Sequence, residues 1–77
     1  MTTAELAALA PSGWHIALHG ELTGSRCVPQ DRTLHVPDVA RFTGDDASLA
    51  AFIFLHEVRH AQQTDALSPH EVDNFQR

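Results

Sequence analysis

The sequence predicts a small α+β domain in which a short three-stranded sheet packs on one long helix, with short helices at the N- and C-termini. Two observations lead to this fold class. Residues 14–36 contain three short segments with the composition and alternation of strands. Residues 46–64 then form a long helical run without glycine or proline. A chain of 77 residues corresponds to one domain, so residues 1–77 are expected to fold as a single unit.

A short N-terminal helix is predicted because Thr2 and Glu5 have the spacing of a capping box. In that motif each side chain bonds to a backbone N–H at the start of the helix. Pro11-Ser12-Gly13 then stops the helix. A helix this short needs packing against the rest of the domain to persist.

Three strands are predicted next. In the segment WHIALHGEL the side chains of Trp14, Ile16 and Leu18 share one face, and His15 and His19 share the other. The two histidines could bind a metal together, although a solvated strand face is the simpler interpretation. The segment SRCV predicts a weak second strand, and RTLHV predicts a third strand at the edge of the sheet.

The long helix is predicted from about residue 46 to about residue 64. Asp45 or Asp46 can cap its start, where a negative charge is favourable at the positive end of the helix dipole. Its first half, LAAFIFL, is apolar on all sides, which predicts a helix buried between other elements. Because the short flanking elements offer little cover, we expect a homodimer, formed by exchange of a terminal helix.

Composition narrows the classes of function. The formal net charge is −5, from ten acidic and five basic residues, which argues against a nucleic-acid or anionic-membrane partner. Cys27 is the only cysteine, so no disulfide forms within the chain. The start MTTAELAALA lacks the basic residues and the apolar length of a signal sequence. We therefore expect a cytoplasmic protein.

The segment HEVRH at residues 56–60 is the candidate metal-binding and catalytic motif of the chain. Residues four apart share one face of a helix, so His56 and His60 can each present a ring nitrogen to one zinc ion. Glu57 can then take a proton from the metal-bound water. A chance match is the alternative explanation. Two imidazoles and a carboxylate in an apolar helix are costly without a partner, which favours a metal site.

The stretch HEVRHAQQ resembles the active-site helix of zincin metallopeptidases, above all the small gluzincins whose motif continues H-E-x-x-H-x-x-Q, with Gln63 at the last position. The resemblance covers roughly residues 30–75 and implies a small twisted sheet whose edge strand lies above the active helix. It implies Zn²⁺ as cofactor, hydrolysis of a peptide or protein substrate, and Glu57 as general base. We expect a minimal metallopeptidase of bacterial or phage type, with the substrate pairing antiparallel to the RTLHV strand.

Several residues that follow the HEVRH segment are candidates for the third zinc ligand. Metzincins would place a histidine six residues after His60, where this chain has alanine, and Asp65 points away from the histidine pair. Small gluzincins take a glutamate from a following helix that starts P-x-E, and Glu71 matches that glutamate. His70 and Asp73 are the alternatives.

A last short helix is predicted from Ser68 to the C-terminus, because Ser68 can cap it and Pro69 suits its first position. Glu71 has capping-box spacing from Ser68, so a structural role for this residue competes with the ligand role. The chain departs from the family at Asn74 and Phe75, where the family often has a small residue and an acid.

A donor for the developing oxyanion is also required, and the chain has no tyrosine. His35 and His70 are the available donors.

The alternative function is a zincin-fold metal-binding module that regulates or binds proteins with little or no proteolysis, since so short a chain has few residues to line a substrate cleft. A small structural protein with a chance motif is the remaining alternative.

Overall fold

The computed structural model describes residues 2–66, and no helix in that range is long and apolar enough to cross a membrane. The predicted last helix, with Glu71, His70 and Asp73, lies outside the described residues. The structure contains a mixed sheet, one long helix and short helical pieces, so the α+β class is confirmed. The elements in chain order are α1 (Thr3–Ala7), β1 (His15–His19), β2 (Arg26–Val28), a 3₁₀ turn (Pro29–Asp31), β3 (Thr33–Pro37), a second 3₁₀ turn (Val39–Arg41) and α2 (Gly44–Ala66).

The start of α1 has the predicted capping box. The backbone N–H of Glu5 donates to the Thr2 hydroxyl at 3.1 Å. The backbone N–H of Thr2 donates in return to the Glu5 carboxylate at 3.1 Å. Leu6 is completely buried and joins this one-turn helix to the core, which supplies the packing that so short a helix needs.

The sheet has the strand order β1-β3-β2, with β1 parallel to β3 and β2 antiparallel to β3. The prediction that the RTLHV strand lies at an edge is therefore wrong, since β3 is the central strand. Parallel neighbours require a connection of about a dozen residues or more. Residues 20–32 supply it, and within that connection the chain places β2 on the far side of β3.

One face of the sheet packs on α2. Leu34 and Val36 of β3 point to this face and are fully buried. His35, the one residue between them, points to the opposite face, because side chains alternate along a strand. The buried apolar core comprises Leu6, Leu34, Val36, Val39, Ala50, Phe54, Val58 and Ala61.

The long helix is longer than predicted and is covered on one side only. Asp45 and Asp46 lie in its first turn instead of capping it, where their charges still complement the helix dipole. The prediction that LAAFIFL is buried all round is wrong, because Phe52 is 68% exposed. Phe52 is two residues from both Ala50 and Phe54, so it lies about 200° round the helix from these core residues. The sheet can cover only the face that carries them.

Candidate metal centre

His56 and His60 lie one turn apart on α2 and point their rings at each other. Their Nε2 atoms are 3.1 Å apart, and the two ring planes are perpendicular. A tetrahedral zinc ion with bonds of about 2.0–2.1 Å separates two of its nitrogen ligands by about 3.3 Å. The two nitrogens are thus spaced like two corners of a zinc tetrahedron. His56 is exposed and His60 half-buried, so an ion can reach the pair from solvent.

The same distance also fits an N–H···N hydrogen bond between two neutral imidazoles. In either arrangement the two rings converge on one point, which is the geometry that the spacing of four residues predicts. His56 and His60 are therefore a pair of described residues on α2 that could hold a metal ion together.

Glu57 lies on the side of α2 that faces the sheet. It is 8% exposed, although it is charged and its neighbour His56 is exposed. Glu57 lies about 100° round the helix from His56 and about 60° from His60. Its carboxylate therefore belongs to the border between the histidine pair and β2, close enough to Cys27 on β2 for its charge to act on the thiol.

Half-buried Cys27 on β2 and buried Glu57 and Thr64 on α2 form a polar cluster between the two elements. Burial, followed by the charge of Glu57, raises the pKa of the Cys27 thiol to about 11. The Thr64 hydroxyl acts in the opposite direction. Its oxygen is buried and has no hydrogen-bond partner of good geometry in the described part of the chain. A thiol in this setting is a poor nucleophile, so the cluster points to a structural role for Cys27.

This cluster is not among the sites predicted from the sequence, where Cys27 was considered only as the single cysteine. Glu57 and Thr64 are seven residues apart, which places them on the same helix face, and that spacing is a signal in the sequence. The contact with Cys27 has no such signal, because it depends on which strand lies at the edge beside α2.

Alkylation of Cys27 is expected to be slow and to accelerate up to about pH 11. At pH 8 the folded chain should react with iodoacetamide about a hundredfold more slowly than the chain unfolded in guanidinium, because its thiolate fraction is that much smaller. The folded chain also holds the thiol proton more tightly than the unfolded chain. Stability from this group is therefore present below the unfolded pKa and is lost as the pH rises through the folded pKa.

Glu57→Gln provides the check on the cause. Removing the carboxylate charge lowers the pKa of Cys27, so alkylation of the folded variant should be faster than in the wild-type chain. Equal rates in the folded and unfolded wild-type chain would show that Cys27 is not shielded by burial, and equal rates in folded Glu57→Gln and folded wild type would show that the Glu57 charge does not act on the thiol.

A shallow depression of about 150 Å³ lies on the other side of the histidine pair, where Phe52, Leu55, His56 and Arg59 line it. Arg59 is exposed. Gln63, at the position of the family's glutamine, is exposed as well. The depression therefore combines an apolar wall with a cation beside one of the two imidazole rings.

His35 cannot donate to an oxyanion at this centre. Leu34 and Val36 point towards α2, so His35 points to the opposite sheet face. The expectation that His35 is an oxyanion donor is wrong, because it assumed that β3 lies at the edge of the sheet.

The prediction that Asp65 points away from the histidine pair is confirmed, since its carboxylate accepts from Arg32 Nη1 at 2.8 Å.

Within residues 2–66, no three histidine, cysteine, aspartate or glutamate side chains gather where they could hold one ion. The predicted third ligand, Glu71, and its alternatives His70 and Asp73 lie outside that range, as does the oxyanion donor proposed at His70. Within residues 2–66 the candidate centre thus consists of two imidazoles, and Glu57 follows His56 on a neighbouring, buried side of the helix.

No family model matches the chain, and searches of the curated proteins and of the solved structures found no match either. A function for the chain is therefore inferred from its own residues and their geometry.

Proposed function

We propose that the chain is a minimal zincin-type metallopeptidase that uses Zn²⁺. The observation that carries the proposal is the 3.1 Å separation of the His56 and His60 Nε2 atoms, on a helix that packs beneath a small sheet. The two imidazoles supply two ligands of a tetrahedral site. A catalytic zinc site has three protein ligands and one position for water.

Glu57 is the general base of the proposed reaction. Zn²⁺ held by the two imidazoles would supply a Lewis acid for the attack of water on the peptide carbonyl. The Glu57 carboxylate would take a proton from the attacking water and give it to the amine nitrogen as the C–N bond of the peptide breaks. Its position on α2 between the histidine pair and β2 supports this role.

The substrate is proposed to add to the outer edge of β2. Pairing with β3, as the sequence predicted, is wrong because β3 is hydrogen-bonded on both sides. In the described sheet β2 is the edge strand that approaches Glu57, through Cys27. An extended peptide added there would use its main chain for affinity and would pass beside the general base.

Glu71 is proposed as the third ligand, and chain length permits it. Ala66, the end of α2, lies six residues after His60, or about 9 Å along the helix. The five residues from Ala66 to Glu71 span at most about 17 Å. The chain can therefore turn back and bring the Glu71 carboxylate to the level of the histidine pair.

The ligand assignment is tested by comparing Glu71→Gln with Asp73→Asn. Both changes remove one charge from the same short segment, so they form a matched pair. We expect Glu71→Gln to weaken zinc binding by about tenfold or more, because even a residue that only supports a ligand commonly contributes about 10–100-fold to affinity. Asp73→Asn should bind like the wild-type chain.

Zinc affinity is measured by competition with a fluorescent chelator, and His60→Ala serves as the variant that removes one of the two proposed imidazole ligands. Loss of zinc in Asp73→Asn with retention in Glu71→Gln would overturn the assignment of Glu71. Unchanged zinc affinity in His60→Ala would overturn the metal centre itself.

A zincin-fold module with little proteolytic activity is the second candidate. The burial of Glu57 beside a half-buried thiol favours it, because a base needs access to the reacting water. The depression beside Phe52 also favours a protein partner, a second copy of the chain included. This candidate keeps zinc binding by the histidine pair and predicts no cleavage of peptides.

A further inference from the structure

Three histidines share the sheet face that points away from α2. His15 and His19 lie on β1, and the register pairs Ala17 between them with His35 on β3. His35 therefore lies diagonally across from both. The Nε2 atom of His19 and the Nδ1 atom of His35 are 3.0 Å apart, and the ring centroids are 5.2 Å apart.

We propose that His19 and His35 form a second site for a divalent transition-metal ion, on the sheet face opposite α2. The site is independent of the proposed peptidase centre. Its two nitrogens are as close as those of His56 and His60, and the spacing again matches the edge of a metal coordination shell.

The backbone holds both ligands in place. His19 and His35 lie on paired strands, and the backbone N–H of Asp38 donates to the carbonyl of His19 at 2.8 Å. Ligands on rigid elements lose little freedom when they bind an ion. His15, two residues along the same strand face, is the next nearest imidazole. Within the described residues no third side chain completes the shell, so water fills the remaining positions.

The two imidazole donors of the proposed second site determine which metal ions it would bind. Imidazole nitrogens suit zinc, copper and nickel, and a site without enforced geometry follows the general order of affinity in which Cu²⁺ binds more tightly than Ni²⁺ or Zn²⁺. Cu²⁺ is therefore the probe of choice, with Zn²⁺ expected to bind more weakly at the same rings.

Arg26 modulates the site from β2, where it pairs with His35 in the register. Loss of solvent contact, then the charges of Arg26, His19 and His15, lower the pKa of His35. The Arg26 cation also repels an incoming ion, so Arg26→Gln should strengthen binding, and more so at low salt.

The test titrates the full chain with Cu²⁺ and follows the imidazole signals by NMR. Substoichiometric Cu²⁺ should broaden the His19 and His35 signals as well as those of His56 and His60. In calorimetric titrations His19→Gln and His35→Gln should each lose the second site, with affinity lower by about tenfold or more. His15→Gln, a matched change on the same strand face, should keep it within a few-fold.

The three side chains lie on the outer face of the sheet, so these substitutions leave the core intact, and circular dichroism checks the fold. Broadening confined to His56 and His60 would overturn the proposal and leave a neutral N–H···N hydrogen bond between His19 and His35. Equal loss of Cu²⁺ in His15→Gln would overturn the assignment to this pair. The outcome at His19 and His35 does not depend on whether the chain cleaves peptides.

Discussion

Glu57→Gln is expected to abolish peptide hydrolysis and to leave zinc bound. General base catalysis contributes about 10²–10⁴-fold to a rate, so kcat should fall by at least that factor. Glutamine keeps the size of the side chain and removes only its ability to take a proton. Cleavage is measured by mass spectrometry on a mixture of unstructured peptides, and zinc content is measured on the same samples.

Glu21→Gln is the matched control for this change, because it removes an exposed carboxylate from the loop after β1. It should cleave like the wild-type chain. Equal activity in Glu57→Gln and the wild type would contradict the role of Glu57. A wild-type chain that binds zinc at His56 and His60 but cleaves nothing would favour the binding module instead.

Phe54→Ala is expected to unfold the domain at moderate temperature. Phe54 is fully buried, and removing a buried phenylalanine side chain costs about 3–5 kcal/mol. Small domains have only about 5–15 kcal/mol of stability in total. Each kcal/mol moves the Tm of a domain of this size by about 4–8 °C, so the Tm should fall by tens of degrees. Thermal unfolding followed by circular dichroism measures the change.

Phe52→Ala makes the same chemical change two residues earlier on the same helix. Phe52 is 68% exposed, so its loss should change the stability of the monomer by only about 0.5 kcal/mol or less. Equal losses in the two variants at low protein concentration would show that α2 is rotated from the described orientation. A loss in Phe52→Ala that grows with concentration would identify this face as the interface of the predicted homodimer.

Local interactions made several features predictable from the sequence. The capping box of α1 depends on Thr2 and Glu5, which are neighbours in the chain, and the structure contains both of its hydrogen bonds. The positions of β1 and of the long helix follow in the same way from nearest neighbours and periodicity, although Leu18 of β1 is exposed. The convergence of His56 and His60 is also local, because a helix brings residues four apart together wherever it lies.

Contacts between distant segments were decided by the tertiary structure. RTLHV has the composition of an edge strand or a central strand, and only the path of residues 20–32 made it central. That path placed β2 beside Glu57 and so created the cluster with Cys27. It also brought His35 next to His19, although the sequence had grouped His19 with His15.

Tertiary packing also decides which faces of the long helix are buried. The composition of LAAFIFL predicts an apolar helix, but it does not predict how many sides of that helix are covered by other elements of the fold. One sheet face and the short α1 cover the side that carries Ala50 and Phe54, and Phe52 stays exposed in the described structure. Local sequence determines which elements form, because their hydrogen bonds close within a few residues. Strand order and the choice of buried face depend on the free energy of the whole packed chain.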